Sequence, residues 1–135
     1  MRTIEQMLKE SKVIAVVGLS RDSTRDSYRI AQYLKEQGYR VIPINPNMPE
    51  VLGERCYPSL LDVPEKIDIV DIFRRPEYVR PIVDDAIMVG AKSVWMQLGI
   101  ADDEAAEKAT KAGLDVVMDE CIRVLHQALK REGRL

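Results

Sequence analysis

Two pairs of arginines carry the clearest chemistry in this sequence. Arg21 and Arg25 follow the run Gly18-Leu19-Ser20, and Arg74 and Arg75 stand just before Pro76. Each pair lies where an apolar run gives way to a helix-forming stretch. A helix N-terminus carries about half a positive charge and favours Asp or Glu beside it. The stretches starting near 102 and 120 have those acids: Asp102, Asp103 and Glu104 in one, Asp119 and Glu120 in the other. Cations at the two arginine sites oppose the dipole unless an anion is bound, and a polyanionic ligand would resolve both. The competing reading has the arginines solvated, or paired with Asp22, Asp26 and Glu77. For one arginine the two readings balance; for two clusters at adjacent strand ends the anion reading leads.

Catalytic constellations are hard to find. The one histidine, His126, stands among Ile122, Leu125 and Leu129 and reads as a packed helix residue rather than a base. There is no G-x-S-x-G elbow, no histidine pair and no metal-ligand spacing. Asp68 and Asp71 flank an apolar run and read as end-of-strand or helix-capping residues. Trp95 reads as core. Cys121, near a helix start, has no histidine beside it in sequence and reads as an inert thiol. The chain looks like a binding module.

These residues need elements to position them. Val13 to Val17 is a short, continuous, β-branched run, the pattern of a strand buried on both faces of a parallel sheet. Gly18 ends it, and Ser23 with Asp26 has the spacing of a capping box that would open a helix near Thr24. Strand, glycine turn and helix is the unit that seats an anion in doubly wound folds. Further strands are expected at Tyr39–Ile44, Asp68–Phe73, Ser93–Gln97 and Leu114–Met118, with Met48 to Tyr57 an irregular connection. Helices are expected from Pro76 to about Val89 with Pro81 in its first turns, from Ala101 to Ala112, and from Glu120 to Arg131. Glycines 38, 90 and 113 punctuate a βα rhythm without a sequence repeat. The expectation is α/β: a Rossmann-like open parallel five-stranded sheet, order 3-2-1-4-5, with helices on both faces.

The 135 residues bound one domain, 1–135. A net charge of −2 argues against a nucleic-acid surface, and no apolar run is long enough to span a membrane. The start, MRTIEQMLKES, reads as a short amphipathic helix rather than a signal peptide. Cys56 and Cys121, far apart and without C-x-x-C spacing, suit free thiols in a reducing cytosol, so a cytoplasmic location is expected. The Gly18 loop is neither a P-loop nor a dinucleotide fingerprint, because no second or third glycine follows. Asn45 stands where an NAD site places Asp or Glu for the ribose, which also counts against NAD.

In order, the blocks VIAVVGLSRDSTRDSYRIAQYLKEQGYRVIPINP, VLGERCYPSL, DIVDIFRRPE, GAKSVWMQLGI and GLDVVMDECI resemble the small bacterial and archaeal CoA-binding proteins. These are stand-alone versions of the CoA-binding domain of the succinyl-CoA synthetase alpha subunit. The resemblance runs from about Lys12 to His126 and implies a Rossmann-like fold holding coenzyme A at the C-terminal edge of the sheet. It implies that Gly18, Leu19 and Ser20 line the phosphate loop, and that Arg25 and Ser27 contact phosphates with Tyr28 alongside. Asn45, Pro46 and Asn47 would border the adenosine part, Phe73 and Arg74 would flank the ligand, and Gln97 and Gly99 would lie where the pantetheine arm leaves. Many relatives carry a basic residue and then Cys-Pro after the last strand. Here the run is Asp119-Glu120-Cys121-Ile122, which puts a role for Cys121 in doubt.

The synthetase uses a phosphorylated histidine from a second domain, and the expectation is that its ligase activity is not inherited. A non-catalytic CoA or acyl-CoA binding protein, carrier or sensor leads. The alternatives are a CoA-binding subunit of an acyl-CoA ligase or acyltransferase whose catalytic part is another chain, and, behind it, an NAD-binding domain. A homodimer or a protein partner stays open, since Tyr33, Tyr39 and the N-terminal helix could pack within one chain or across a two-fold.

Overall fold

A computed structural model describes all residues, 1–135. The chain runs α1 (Ile4–Glu10), β1 (Val13–Val17), α2 (Asp26–Glu36), β2 (Arg40–Ile44), a small hairpin of β3 (Glu50–Val51) and β4 (Glu54–Arg55), then β5 (Ile69–Ile72). It continues α3 (Val79–Met88), β6 (Ser93–Met96), α4 (Asp103–Lys111), β7 (Asp115–Val117) and α5 (Ile122–Arg131). Short 3-10 turns cover Leu60–Asp62 and Pro76–Tyr78. The five long strands form one parallel sheet, with β1, β5 and β6 at its centre. No helix is long and apolar enough to cross a membrane.

Parallel strands covered on both faces bury alternate residues on opposite sides. One layer sets Ala15, Val17, Val70, Ile72, Val94 and Met96 against Val79, Val83 and Ala86 of α3 and Ala105, Ala106 and Ala109 of α4. The other sets Ile14, Val16, Ile69, Trp95 and Val117 against Met7 and Leu8 of α1, Ile30, Ala31 and Leu34 of α2, and Ile122 of α5. Alanines on α4 let that helix lie close to the strands. Pro81 sits in the first turn of α3, where a missing N–H costs nothing.

The expected class holds, but the strand order differs. The order is β2-β1-β5-β6-β7, which is 2-1-3-4-5 counting sheet strands alone, not 3-2-1-4-5. The outer edge of β2 is taken: Tyr57 donates to the Pro43 carbonyl and accepts from the Asn45 N–H, each at 3.0 Å. The third strand pairs instead with the free side of β1, where the Asp68 carboxylate accepts from the N–H groups of Lys12 and Val13 at 2.8 and 2.9 Å. The order reverses between β1 and β5, and ligands of doubly wound sheets bind in that crevice. With 3-2-1-4-5, β2 would have separated the two arginine-bearing strand ends; here they are neighbours.

The connection expected to be irregular contains the β3–β4 hairpin. Leu52 and Gly53 both have positive φ, 53° and 73°, as a two-residue type I′ turn requires. Lys35 secures it, donating to the Leu52 carbonyl at 2.6 Å and pairing with Glu54 at 3.4 Å.

Candidate functional site

The crevice above β1 and β5 is built on Gly18. Its φ is +86°, and a Cβ there would come within 2.9 Å of the Phe73 carbonyl oxygen and 3.0 Å of Arg74 Cδ. Only glycine permits this approach of the two strand ends. Its N–H donates to the Ile44 carbonyl at 3.1 Å, so the turn also holds the end of β2. Gly18, Ser20, Thr24, Arg25, Asp26, Ser27 and Phe73 surround an open cleft of about 360 Å³.

The loop is held by its own hydroxyls and carboxylates. Ser27 Oγ accepts from the Ser20 N–H at 3.0 Å, and Ser20 Oγ from the Asp22 N–H at 3.0 Å. Asp22 accepts from the N–H and hydroxyl of Thr24 at 2.9 and 2.7 Å. The Thr24 hydroxyl, foremost, and its N–H pull the Asp22 carboxyl below its ordinary range. This turn replaces the expected capping box. Helix α2 begins at Asp26, its N-cap is Arg25, and no side chain accepts a hydrogen bond there.

Two of the other helices that begin beside this edge, α4 and α5, are capped. Asp102 accepts from Ala105 N–H at 3.1 Å at the start of α4. At α5, Gln97 Oε1 accepts from the Ile122 N–H at 3.1 Å, so Gln97 is a buried cap rather than a free rim group. The expectation that Asp119 and Glu120 serve that helix end is therefore corrected. Asp119 turns back, with φ +57°, and accepts from the Gly99 N–H at 2.7 Å. Helix α2, by contrast, begins with a cation and no side-chain acceptor, as does the Pro76–Tyr78 turn that leads into α3, whose N-cap is Arg75.

The arginines divide accordingly. Asp26 pairs with Arg29 at 3.3 Å rather than with Arg25, whose guanidinium has no ion-pair partner on the cleft wall. Arg74 is stacked 4.4 Å from the Tyr78 ring centroid, which fixes its direction without neutralising it. Arg75 and Glu77 meet only at 4.0 Å, both well exposed. In the groove between α3 and α4, by contrast, Arg80 is neutralised by Asp102 at 3.0 Å and Glu104 at 2.9 Å.

The remaining expected residues fall on the same edge. Asn45 Nδ2 donates to the Leu19 carbonyl at 3.0 Å and its Oδ1 accepts from the Asn47 N–H at 2.8 Å, tying the end of β2 to the glycine loop. Pro46 and Asn47 are exposed beside it, while Leu19 is fully buried, so only its backbone can meet a ligand. Tyr28 and Phe73 are half-buried. Gly99 is exposed at the β6 end of the edge.

Other residues expected to be structural are so placed. Trp95 is fully buried and donates Nε1–H to the Glu120 carbonyl at 2.8 Å. His126 Nδ1 lies 2.7 Å from the Tyr33 hydroxyl, between the Tyr33 and Tyr39 rings, so both tyrosines pack within the chain. Burial, then Lys130, hold this imidazole below its ordinary range. Cys56 and Cys121 are free thiols.

Asp71 is placed where its sequence context offers least warning. It is no end-of-strand residue: it lies within β5, fully buried, paired in register with Val16 and Trp95. Neither carboxyl oxygen has a hydrogen-bond partner, and burial pushes the group well above the usual carboxylate range. Such an orphan costs about 1–3 kcal/mol. The only signal was an acid interrupting an apolar strand.

Residues 12–127 match the sequence profile of the CoA binding domain. The chain is 37% identical over 127 residues to the uncharacterised protein YneT of Bacillus subtilis, covering 94% of each. It is 28% identical over 117 residues to the ADP-forming acetate–CoA ligase II of Archaeoglobus fulgidus. That match takes in 84% of this chain but spans only 17% of the ligase. A hypothetical protein of Pyrococcus horikoshii OT3 superposes with a TM-score of 0.92 at 44% identity, over 94% of this chain and 89% of that one.

Proposed function

The chain belongs to the CoA binding domain family, and from that premise we propose that it binds coenzyme A or an acyl-CoA across the C-terminal edge of the sheet. In this reading it is a non-catalytic binding protein, carrier or sensor. The observation that carries the reading is the start of α2: an uncapped helix N-terminus flanked by an unpaired Arg25, at the point where the strand order reverses. Backbone N–H groups, a helix dipole and guanidinium groups together suit phosphates.

The diphosphate rests on the Gly18-Leu19-Ser20 backbone and the first turn of α2. Arg25 supplies charge, the Ser27 hydroxyl can donate, and Tyr28 stands alongside. The adenosine part lies toward Asn45, Pro46 and Asn47. Phe73 and Arg74 flank the middle of the ligand, and the arm leaves past Gln97 and Gly99. The missing Cβ of Gly18 supports the fit, since any side chain there would enter the strand contact and the mouth of the cleft.

Thermal unfolding with CoA, acetyl-CoA, dephospho-CoA and NAD tests this. A ligand at about 100 times its Kd adds roughly 2.7 kcal/mol to the folded state. That corresponds to a Tm rise of roughly 8–14 °C for a domain of this size. A shift with CoA and acetyl-CoA but not NAD is expected. No shift with either thioester-carrier form would overturn the proposal.

A second reading has support of its own. The similar ADP-forming ligase carries this region as 17% of a longer chain, and in this second reading the domain is the CoA-binding part of a ligase or acyltransferase completed by another chain. Copurification of a partner bearing an active-site histidine, with acyl-CoA turnover only in the complex, would favour it.

A further inference from the structure

Asp71 plays no part in the binding scheme above, yet it lies directly beneath it. Strand alternation turns Asp71 to the same face as Ile69 and Phe73, toward the layer of α2 and α5. Its neighbours in register are Val16 and Trp95. Phe73, two residues nearer the C-terminal edge, is half exposed and forms part of the cleft wall with Gly18 and Ser27. The carboxyl is therefore one residue pair below the crevice.

Its one polar neighbour in register is already committed, since the Trp95 indole N–H goes to the Glu120 carbonyl at 2.8 Å. No cation pairs with Asp71, and both its oxygens are unpartnered. A hydrophobic residue would fill this strand position more stably, as Ile69 and Ile72 do beside it. An acid at this place fits a partner that arrives from the crevice.

We propose that the Asp71 carboxyl is the partner of an amide in the pantetheine arm of bound CoA, making it a specificity residue for the arm. The proposal rests on the CoA reading. A neutral carboxylic acid can donate its O–H to an amide carbonyl or accept an amide N–H at its carbonyl oxygen, and a trans secondary amide turns one of these two groups toward it. Burial without a cation pushes the carboxyl well above its ordinary range, which favours that neutral form. The Phe73 ring must shift for the arm to descend by one residue pair. A nucleotide lacking the arm gains nothing from Asp71.

The test compares CoA with adenosine 3′,5′-bisphosphate, which lacks the arm, by titration calorimetry on the wild type, Asp71→Asn and Asp71→Val. Asp71→Val should weaken CoA by about tenfold or more and leave the bisphosphate unchanged. Asp71→Asn, which keeps a donor and an acceptor, should restore most of the CoA affinity. Equal affinities of wild type and Asp71→Val for CoA would overturn the proposal while leaving the CoA reading intact. Failure of the wild type to bind CoA would overturn both. Infrared difference spectra of the wild type give a measure that needs no folded valine variant. The carbonyl stretch of the protonated carboxyl, identified by its loss in Asp71→Asn, should shift with CoA and not with the bisphosphate. An unshifted band with CoA bound would also overturn the assignment.

Discussion

At the N-terminal ends of the strands, charged groups close into networks, whereas at the C-terminal ends several are left without partners. Arg2 bonds Asp115 at 2.7 Å, Ser93 at 3.1 Å and Glu10 at 3.3 Å, linking the starts of β6 and β7 to the N-terminal segment. Arg40, at the start of β2, is shared by Glu54 and Glu65 at 2.8 and 2.7 Å. Asp68 is buried enough to be driven up, but two backbone N–H groups and Lys92 outweigh burial and hold it low. At the opposite end stand an unpaired Arg25, an uncapped α2 and, one residue pair below, the orphaned Asp71. The charged groups of one end satisfy one another and stabilise the fold. The other carries unmatched charge that a ligand can complete.

The contrast can be broken most severely at Gly18. Gly18→Val should destabilise the fold by about 2–3 kcal/mol, from the left-handed backbone and the contact with the Phe73 carbonyl. It should also abolish CoA binding. Denaturant unfolding and calorimetry together check both. A variant of wild-type stability would contradict the geometry of the turn.

Asp71 sharpens the contrast through pH. Its folded-state carboxyl titrates above its ordinary value, so below pH about 4 it is protonated in both folded and unfolded chains. As pH rises, the unfolded chain ionises first, and the stability present at low pH is progressively lost until the folded group also ionises. Asp71→Asn removes this loss, so wild-type stability relative to the variant should fall between acidic and neutral pH. Parallel pH profiles would mean that the group ionises normally.

Arg25→Ala and Arg74→Ala should weaken CoA by roughly five- to twenty-fold, about 1–2 kcal/mol. Their unfolding free energies should stay within about 0.5 kcal/mol of wild type, since neither is in an ion pair. Whichever arginine meets the 3′-phosphate should discriminate: its loss should weaken CoA more than dephospho-CoA. The mirror-image change, Asp115→Ala, should cost about 1 kcal/mol of stability by freeing Arg2, with CoA affinity unaltered. Loss of CoA affinity in Asp115→Ala would erase the distinction between the two ends.

The βα rhythm was legible because it is written locally, in apolar runs, in glycine stops and in Pro76 and Pro81 at a helix start. The arginine clusters were legible for the same reason, since dipole and charge act over one turn. Strand order was not, because it depends on which edge of β1 is free and on Tyr57 occupying the outer edge of β2. A hint existed: Pro43 lacks an N–H and belongs on an edge strand, which an order with β2 inside the sheet ignored. The capping-box spacing at Ser23 and Asp26 misled because Asp22 captured Thr24 first, forming a turn where a helix was expected. Asp71 was hidden by the sheet itself: a strand buried on both faces has no alternation to mark which side an acid faces.

Amide hydrogen exchange with and without CoA tests the central claim most directly. Slowed exchange is expected in the loop amides of residues 18–28, 45–47 and 97–99. The loops at the other end, around residues 11–12, 66–68 and 90–92, should be unchanged. Protection at that opposite end, or none at the Gly18 loop with CoA saturating, would contradict it.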